Sequence, residues 1–169
     1  MQKLTSFPPV LPKKPAVLIL GSMPVVKSLE KQQYYGNPRN HFWNILFTLF
    51  NEPLVENYEN KLAFCKKHRI ALWDTIVTCY RQGSLDANIR DAVPNDIPSL
   101  LKKYPSIKLI ACNGSKSYQL FVKYFKNAKI SPVNVVKLPS TSPIPGRYTK
   151  TFHEKVEEWR IILRYIDEK

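Results

Sequence analysis

The stretch that decides the fold is Ala16-Val17-Leu18-Ile19-Leu20-Gly21. Five consecutive apolar residues are typical of a strand that is buried on both faces, as in parallel sheets covered by helices. Gly21 ends the run, and a glycine there lets the chain leave the strand sharply or lets a ligand approach the backbone. We therefore expect a central strand at residues 16–20.

Apolar runs and helical patterns alternate outward from this strand. The further strands are predicted at residues 70–73, 107–112 and 133–138, and the helices at residues 40–50, 58–68, 95–104, 116–125 and 151 to about 166. Thr151 and Glu154 have the spacing of a capping box at the start of the last helix. Repeated strand–loop–helix units imply an α/β fold with parallel strands, right-handed crossovers and helices on both faces.

Composition limits the partners of the chain. Its 169 residues suit a single domain, which we predict to span residues 1–169. Lysine and arginine number 26 against 13 acidic residues, which gives a formal charge of +13 and favours nucleic acid or an anionic membrane surface as partner. We expect no membrane protein, because no stretch approaches the roughly 20 apolar residues of a membrane span, and the N-terminus lacks a signal-peptide pattern.

The three cysteines and three histidines show no metal-ligand spacing. A disulfide framework, a zinc site and a four-thiolate iron–sulfur cluster would each need a different pattern. We therefore expect reduced thiols in a cytoplasmic protein, with Cys112 buried at a strand end, and neither a metal nor another cofactor.

Ligands of open α/β sheets bind beyond the carboxyl ends of the strands, so the loops there are the candidate site. The first is a loop of about 20 residues that follows Gly21, and loops of this length are more often functional than idle. Two tyrosines in it, flanked by glutamine, asparagine and arginine, offer a surface for stacking on a base. We expect Tyr34 to pack on the core instead.

Two later loops contain potential phosphate contacts. Residues 138–143 read Leu-Pro-Ser-Thr-Ser-Pro, in which hydroxyls and free amides can bind phosphate oxygens, although a proline-closed turn is equally consistent with the sequence. Residues 114–117 read Gly-Ser-Lys-Ser but lack the first glycine of a P-loop, which excludes that kind of nucleotide site. The helix N-terminus there can still bind a backbone phosphate.

Four segments occur in order along most of the chain: Gly21-Ser22-Met23-Pro24, then Gln33-Tyr34-Tyr35 with Asn37-Pro38-Arg39-Asn40 and Phe42-Trp43, then residues 71–74 through 81–86, and finally residues 138–143. Together they resemble the uracil-DNA glycosylase superfamily, and most closely its hypoxanthine-DNA (deoxyinosine) glycosylase family. The resemblance implies a three-layer αβα sandwich with a central four-stranded parallel sheet, no metal, and removal of a damaged base from DNA.

The resemblance also assigns roles. Asn40 orients the attacking water, because Met23 stands where many relatives carry a carboxylate or carboxamide. Tyr35 stacks on the flipped base. Asn40 and Asp74 are the catalytic candidates, the base-binding candidates are Gly21, Ser22, Met23, Pro24, Tyr35, Phe42 and Asn113, and the DNA-binding candidates are Arg39, Ser115, Lys116, Pro139, Ser140, Thr141, Ser142, Ile144 and Arg147.

Asp74 matches the place where uracil-specific relatives read the base with an asparagine. An ionised Asp74 could accept the N1–H of hypoxanthine, but a role as a helix cap or as the partner of Arg81 or Arg90 is nearly as consistent with the sequence.

Two departures from the family pattern are Val25, where a glycine is common, and Ile144-Pro145, where Ala-Asn is common. Ile144 could act there as an apolar wedge.

The expected function is hydrolytic removal of a deaminated base, above all hypoxanthine, from DNA by a flipping mechanism. Strand cleavage is not expected, since no lysine stands out as a Schiff-base nucleophile. The expected partner is DNA that contains a deaminated base, bound by a monomer. The alternatives are a uracil- or mismatch-specific glycosylase of the same superfamily and a non-catalytic DNA-binding module that keeps the fold.

Overall fold

A computed structural model describes residues 2–128, 130, 132–143 and 150–166. In chain order the strands are β1 (Lys3–Thr5), β2 (Val17–Gly21), β3 (Ile70–Asp74), β4 (Ile76–Tyr80), β5 (Arg90–Pro94), β6 (Leu109–Asn113) and β7 (Asn134–Leu138). The helices are α1 (Val26–Lys31), α2 (Phe42–Leu49), α3 (Tyr58–Lys67), α4 (Ile97–Lys103), α5 (Ser115–Phe125), α6 (Phe152–Trp159) and α7 (Ile161–Ile166).

Four strands form the central sheet in the order β3-β2-β6-β7, and all of its neighbours are parallel. Every residue of β2 is buried, as its apolar sequence predicts. Gly21 at the end of β2 is paired with Asp74 at the end of β3, so these two residues share the carboxyl edge of the sheet.

Helices cover both faces of this sheet. One face packs against α2, α3, α6 and α7 through a core that includes Phe42, Phe64 and Trp159. The other face packs against α4 and α5 through Leu101 and Phe121. The predicted three-layer αβα arrangement with four parallel strands is therefore confirmed.

A second, antiparallel sheet in the order β1-β4-β5 was not predicted. Its first strand has three residues and is mostly exposed, and it pairs Lys3 with Tyr80 across 77 positions of sequence. Ile76 and Cys79 of β4 pack with Met23 and Leu120, which attaches the small sheet to α5 and to the loop after β2.

Two further expectations were wrong. The loop after Gly21 contains the short helix α1, which begins without a side-chain cap and ends at Gln32 in the left-handed region, with φ of 56°. The last helix is divided at Arg160 into α6 and α7, although the capping box of Thr151 and Glu154 is present. The three cysteines are free and buried, with Cys112 near the end of β6 as predicted.

Candidate active site

A cavity of about 300 Å³ opens at the carboxyl ends of the central strands. Eleven of the residues proposed from sequence line it: Gly21, Ser22, Met23, Pro24, Tyr35, Asn40, Asp74, Asn113, Ser140, Thr141 and Ser142. Six more line it that were not proposed: Val25, Ser28, Tyr34, Ser84, Leu85 and Asp86. None of these described lining residues is a lysine or an arginine.

Close packing between Gly21 and Asp74 forms the floor of the cavity. A Cβ atom added at Gly21 would lie 2.5 Å from Oδ1 of Asp74, a separation that atoms in proteins do not tolerate. Glycine is therefore required for the Asp74 carboxyl to occupy this position. The close approach expected at Gly21 is made by a side chain of the neighbouring strand.

The Asp74 carboxyl is nearly removed from solvent, with 5% of the residue exposed. Its Oδ2 atom is buried and has no hydrogen-bond partner among the described residues. Burial raises its pKa to about 7, and the negative charge of Asp86 acts in the same direction, whereas Arg81 opposes the shift. A substantial fraction of Asp74 is therefore protonated at neutral pH.

The structure does not favour the alternative roles that the sequence left open for Asp74. Arg81 donates from Nη2 to the Pro24 carbonyl oxygen and from Nε to the Gly83 carbonyl oxygen, both at 2.7 Å. Arg90 donates to the carbonyl oxygens of Ala87 and Ile89. Both guanidinium groups thus bind backbone oxygens, and neither forms an ion pair with Asp74 among the described residues.

The segment from Arg81 to Asp86 is held against the loop that follows β2. Besides the Arg81 bond to Pro24, the Ser22 hydroxyl donates to Oδ1 of Asp86 at 2.7 Å, and the Val26 N–H donates to Oγ of Ser84 at 2.9 Å. This attachment places a second carboxylate in the cavity wall. Residues 81–86 belong to the third of the four segments that resemble the family. That resemblance was the only sequence signal that they contribute to the site, and it assigned no role to Asp86.

Tyr35 forms an aromatic wall of the cavity. Its ring stacks on Phe42 with centroids 3.7 Å apart and an angle of 17° between the planes. Its backbone lies in the left-handed region, with φ of 54°, a conformation that costs energy for a residue with a Cβ and is often found at functional sites. Burial raises the pKa of its hydroxyl, as does the nearby Asp74.

The proposed contact between Phe42 and a base needs correction. Phe42 is 0% exposed and does not line the cavity. It lies behind Tyr35 and supports that ring, because the apolar face of α2 points into the core. Tyr34 packs on the core as expected, since it is 5% exposed and its hydroxyl donates to the Pro8 carbonyl oxygen at 2.8 Å.

Asn40 lies at the cavity wall immediately before α2. Its Oδ1 accepts the N–H of Phe42 at 2.9 Å, and its own N–H donates to the Asn37 carbonyl oxygen at 2.9 Å. The bond to Phe42 fixes the plane of the carboxamide. One lone pair of Oδ1 and the amide hydrogens then remain for a substrate or a water.

Thr141 and Asn113 hold the last loop against the sheet. Asn113 donates from Nδ2 to Oγ1 of Thr141 and accepts the Thr141 N–H at Oδ1, both at 3.0 Å. The Thr141 carbonyl oxygen also accepts the N–H of His41. Thr141 is buried, and its hydroxyl oxygen, N–H and carbonyl oxygen all take part in these bonds, so it positions the loop, which corrects its proposed role in DNA binding.

Four other DNA-binding candidates lie outside the cavity lining. Arg39 and Ser115 are exposed, and Lys116 and Pro139 are half-buried. Ser140 and Ser142 lie at the cavity wall, where Ser140 Oγ accepts the Ser142 N–H. Ile144 and Arg147 fall outside the described residues.

The described residues contain no cluster of histidine, cysteine or acidic side chains suited to a metal ion. Among them, no helix combines the length and apolar character needed to cross a membrane.

Comparison of the whole chain with known proteins identifies its relatives. The family model of the uracil DNA glycosylase superfamily matches residues 8–163. A hypoxanthine DNA glycosylase of Methanosarcina acetivorans is 37% identical over 160 residues, which cover 94% of this chain and 97% of that protein. A hypoxanthine DNA glycosylase of Methanosarcina barkeri is 40% identical over 116 residues, which cover 68% of this chain and 73% of that protein.

The fold has a solved counterpart. A solution NMR structure from Methanosarcina acetivorans, described as a candidate uracil DNA glycosylase, superposes with a TM-score of 0.80 at 34% sequence identity. The superposition covers 99% of this chain and 100% of the other, so the likeness extends over the whole αβα arrangement.

Proposed function

The chain belongs to the uracil DNA glycosylase superfamily, and we propose that it is a DNA N-glycosylase that hydrolyses the bond between hypoxanthine and deoxyribose without cutting the strand. The observation that carries this proposal is the buried Asp74 carboxyl on the floor of a cavity with Tyr35 in its wall. We also propose that it acts as a single-domain monomer in the cytoplasm.

Hydrogen-bond chemistry connects Asp74 to hypoxanthine. The base edge presents an N1–H donor beside the O6 acceptor. A neutral carboxyl presents the complementary pair, a C=O acceptor and an O–H donor, whereas a carboxylate can only accept. Because burial raises the pKa of Asp74 to about 7, the neutral form is available at physiological pH. The same O–H would stabilise negative charge that develops on O6 as the base departs.

Tyr35 supplies the stacking surface for the flipped base. One face of its ring is covered by Phe42, so a base can stack only on the opposite face. The stack with Phe42 holds this surface in place before DNA binds, and so do the hydrogen bonds of the preceding residue, Tyr34, to the Tyr58 hydroxyl and the Pro8 carbonyl oxygen. A preformed surface lowers the ordering cost of binding and helps to offset the few kcal/mol needed to unstack a base.

The chemical step requires a water at C1′. As the C1′–N9 bond breaks, its electron pair goes to the purine, the water oxygen bonds to C1′, and the proton that the water loses is taken up by the departing purine through solvent, which leaves neutral hypoxanthine and an abasic sugar. We assign the orientation of this water to Asn40, whose carboxamide is held by its bond to Phe42. The Asp86 carboxylate in the cavity wall stabilises the positive charge that develops on the sugar.

The described lining also supports hydrolysis without strand cleavage. Cleavage by a glycosylase needs an amine that forms a Schiff base at C1′. The described lining residues contain no lysine. Hydrolysis with a free abasic site as product is the reaction that this cavity supports.

Uracil is the second candidate substrate, and one observation favours it. The N3–H and O4 of uracil present the same donor–acceptor pair as N1–H and O6 of hypoxanthine, so a neutral Asp74 can pair with either base. Size separates them, since the purine fills more of a cavity of about 300 Å³ and covers more of Tyr35.

A substrate panel tests the proposal. Duplexes that contain deoxyinosine, deoxyuridine, deoxyxanthosine or ethenoadenine are incubated with the protein, and the released base and intact abasic strand are measured. We expect hypoxanthine to be released fastest, uracil more slowly, and ethenoadenine not at all, because it lacks the N1–H donor. Binding without release of any base would instead identify a non-catalytic DNA-binding module and refute the proposal.

A further inference from the structure

Lys155 is a buried lysine without a partner. It lies on α6 and is 3% exposed. Burial lowers its pKa, and no acidic group opposes the shift. Lys155 Nζ is not among the fully buried polar atoms that lack a partner, so the stem of the side chain is buried while its ammonium group reaches the surface without a counter-charge.

The acidic residues of α6 are all engaged elsewhere. Glu154 accepts the N–H of Thr151 in the capping box. Glu157 pairs with Arg160 at 3.1 Å, and Glu158 pairs with Lys150 at 3.0 Å. Within the described part of the chain, Lys155 therefore has neither a hydrogen bond nor an ion pair.

His41 is the polar neighbour of Lys155. The His41 ring packs edge-on against Phe152 with centroids 5.6 Å apart. Phe152 and Lys155 are three residues apart on α6 and so share one face of the helix. Burial lowers the pKa of His41, and the charge of Lys155 adds to this shift. Nδ1 of His41 is buried and has no partner among the described residues.

The pair lies beside the cavity but outside its lining. His41 directly follows Asn40, and its N–H donates to the carbonyl oxygen of Thr141 at 3.0 Å. His41 is the residue before α2, and its ring contacts Phe152, the first residue of α6, so the starts of the two helices are adjacent and Lys155 lies one turn into α6. Every one of these features favours a negative charge, and no described residue supplies it.

We propose that Lys155 and His41 bind one backbone phosphate of the DNA, next to the nucleotide whose base enters the cavity. A phosphodiester carries one negative charge on two free oxygens, which can accept from the lysine and the imidazole together. The partial exclusion of water around Lys155 would strengthen this contact. The inference rests on the proposed DNA substrate but not on which base is removed.

The test compares Lys155→Met with Lys102→Met, which changes an exposed lysine on α4, on the opposite face of the sheet. Binding is measured to a duplex with 2′-fluorodeoxyinosine, whose fluorine resists glycosidic cleavage. We expect Lys155→Met to bind about tenfold more weakly at low salt, with the slope of log K against log salt reduced by about one. Lys102→Met should leave the affinity within about twofold.

Neutral methylphosphonates placed one at a time around the lesion locate the contact. Wild type should lose affinity at one particular position, and Lys155→Met should be insensitive there while it responds normally elsewhere. The melting temperature of free Lys155→Met should equal or exceed that of wild type, because a partly desolvated charge without a partner is removed. A purely structural lysine would give the opposite sign, a lower melting temperature.

The proposal is overturned if Lys155→Met binds like wild type, if its loss is the same at every methylphosphonate position, or if the variant is destabilised and loses no single contact. Release of hypoxanthine by wild type is measured in parallel. A wild-type protein that shows the methylphosphonate signature but releases no base would refute the proposed function and leave the phosphate site standing.

Discussion

The chain as a whole carries a formal charge of +13, whereas the cavity lining contains Asp74 and Asp86 and, within the described residues, no lysine or arginine. The two regions therefore attract different parts of one substrate. The basic exterior attracts phosphates over long range and in a salt-dependent way. For the proposed DNA substrate we expect Asp86 in the cavity wall to disfavour phosphates, so that a neutral base enters while the backbone stays outside.

The largest expected effect is inside the cavity. Asn40→Ala should lower the single-turnover rate of hypoxanthine release by about 100-fold or more, because the water loses its acceptor. DNA affinity should change by about twofold or less, since Asn40 carries no charge. The matched control is Asn44→Ala, which alters an exposed asparagine on α2. A near-normal rate for Asn40→Ala would remove that residue from the mechanism.

The pH dependence of excision tests the chemical form of Asp74. With a pKa of about 7, the neutral form falls from about nine-tenths at pH 6 to one-tenth at pH 8, so wild-type excision should fall about tenfold across this range. Asp74→Asn keeps one donor and one acceptor and should lose this dependence. A wild-type rate that rises over the same range would show that the carboxylate is the active form.

Stability provides an independent check on the same group. The folded-state pKa of Asp74 lies above its unfolded value, so its contribution is fully present below about pH 4 and is lost as the pH rises toward 7. Asp74→Asn should therefore gain stability over wild type between pH 4 and pH 8, by about 4 kcal/mol. Thermal melts of both proteins at the two pH values measure this gain.

The smallest effect is expected at the exterior. Arg39→Ala removes one exposed charge near the cavity mouth and should weaken DNA binding about two- to threefold, equally for damaged and undamaged duplexes. The excision rate of the saturated complex should not change. Arg164→Ala on α7 is the control. A loss of affinity confined to inosine-containing DNA would show that Arg39 contributes to base selection and would contradict the separation of roles between exterior and cavity.

Much of the fold could be predicted because its signals are local. The apolar run of β2, the cap at Asp96, which accepts the N–H of Ser99, and the capping box at Thr151 each depend on neighbours in sequence. The antiparallel sheet depends on pairing between Lys3 and Tyr80, which no local pattern records. The run from Ile76 to Tyr80 is rich in β-branched residues and was its one available signal.

The sequence predicted most of the residues of the site, but it predicted their roles less well. Chain order and family motifs brought Tyr35, Asn40 and Asp74 together, yet the protonation of Asp74 depends on burial and on Asp86, which only the folded chain reveals. Thr141 and Phe42 have the residue types of ligand contacts. Packing decides instead that Thr141 positions a loop and that Phe42 supports a ring.

The stack of Tyr35 on Phe42 has a consequence for the damaged nucleotide. A purine laid on the free face of Tyr35 would become the third ring in a column whose lower two are already assembled in the protein. In such a column, Tyr35 would take the place of the base pair that was stacked on one side of the base, and Phe42 would take the place of the next base pair. In this arrangement, aromatic side chains would supply stacking contacts to the flipped base like those that neighbouring base pairs supply in the duplex.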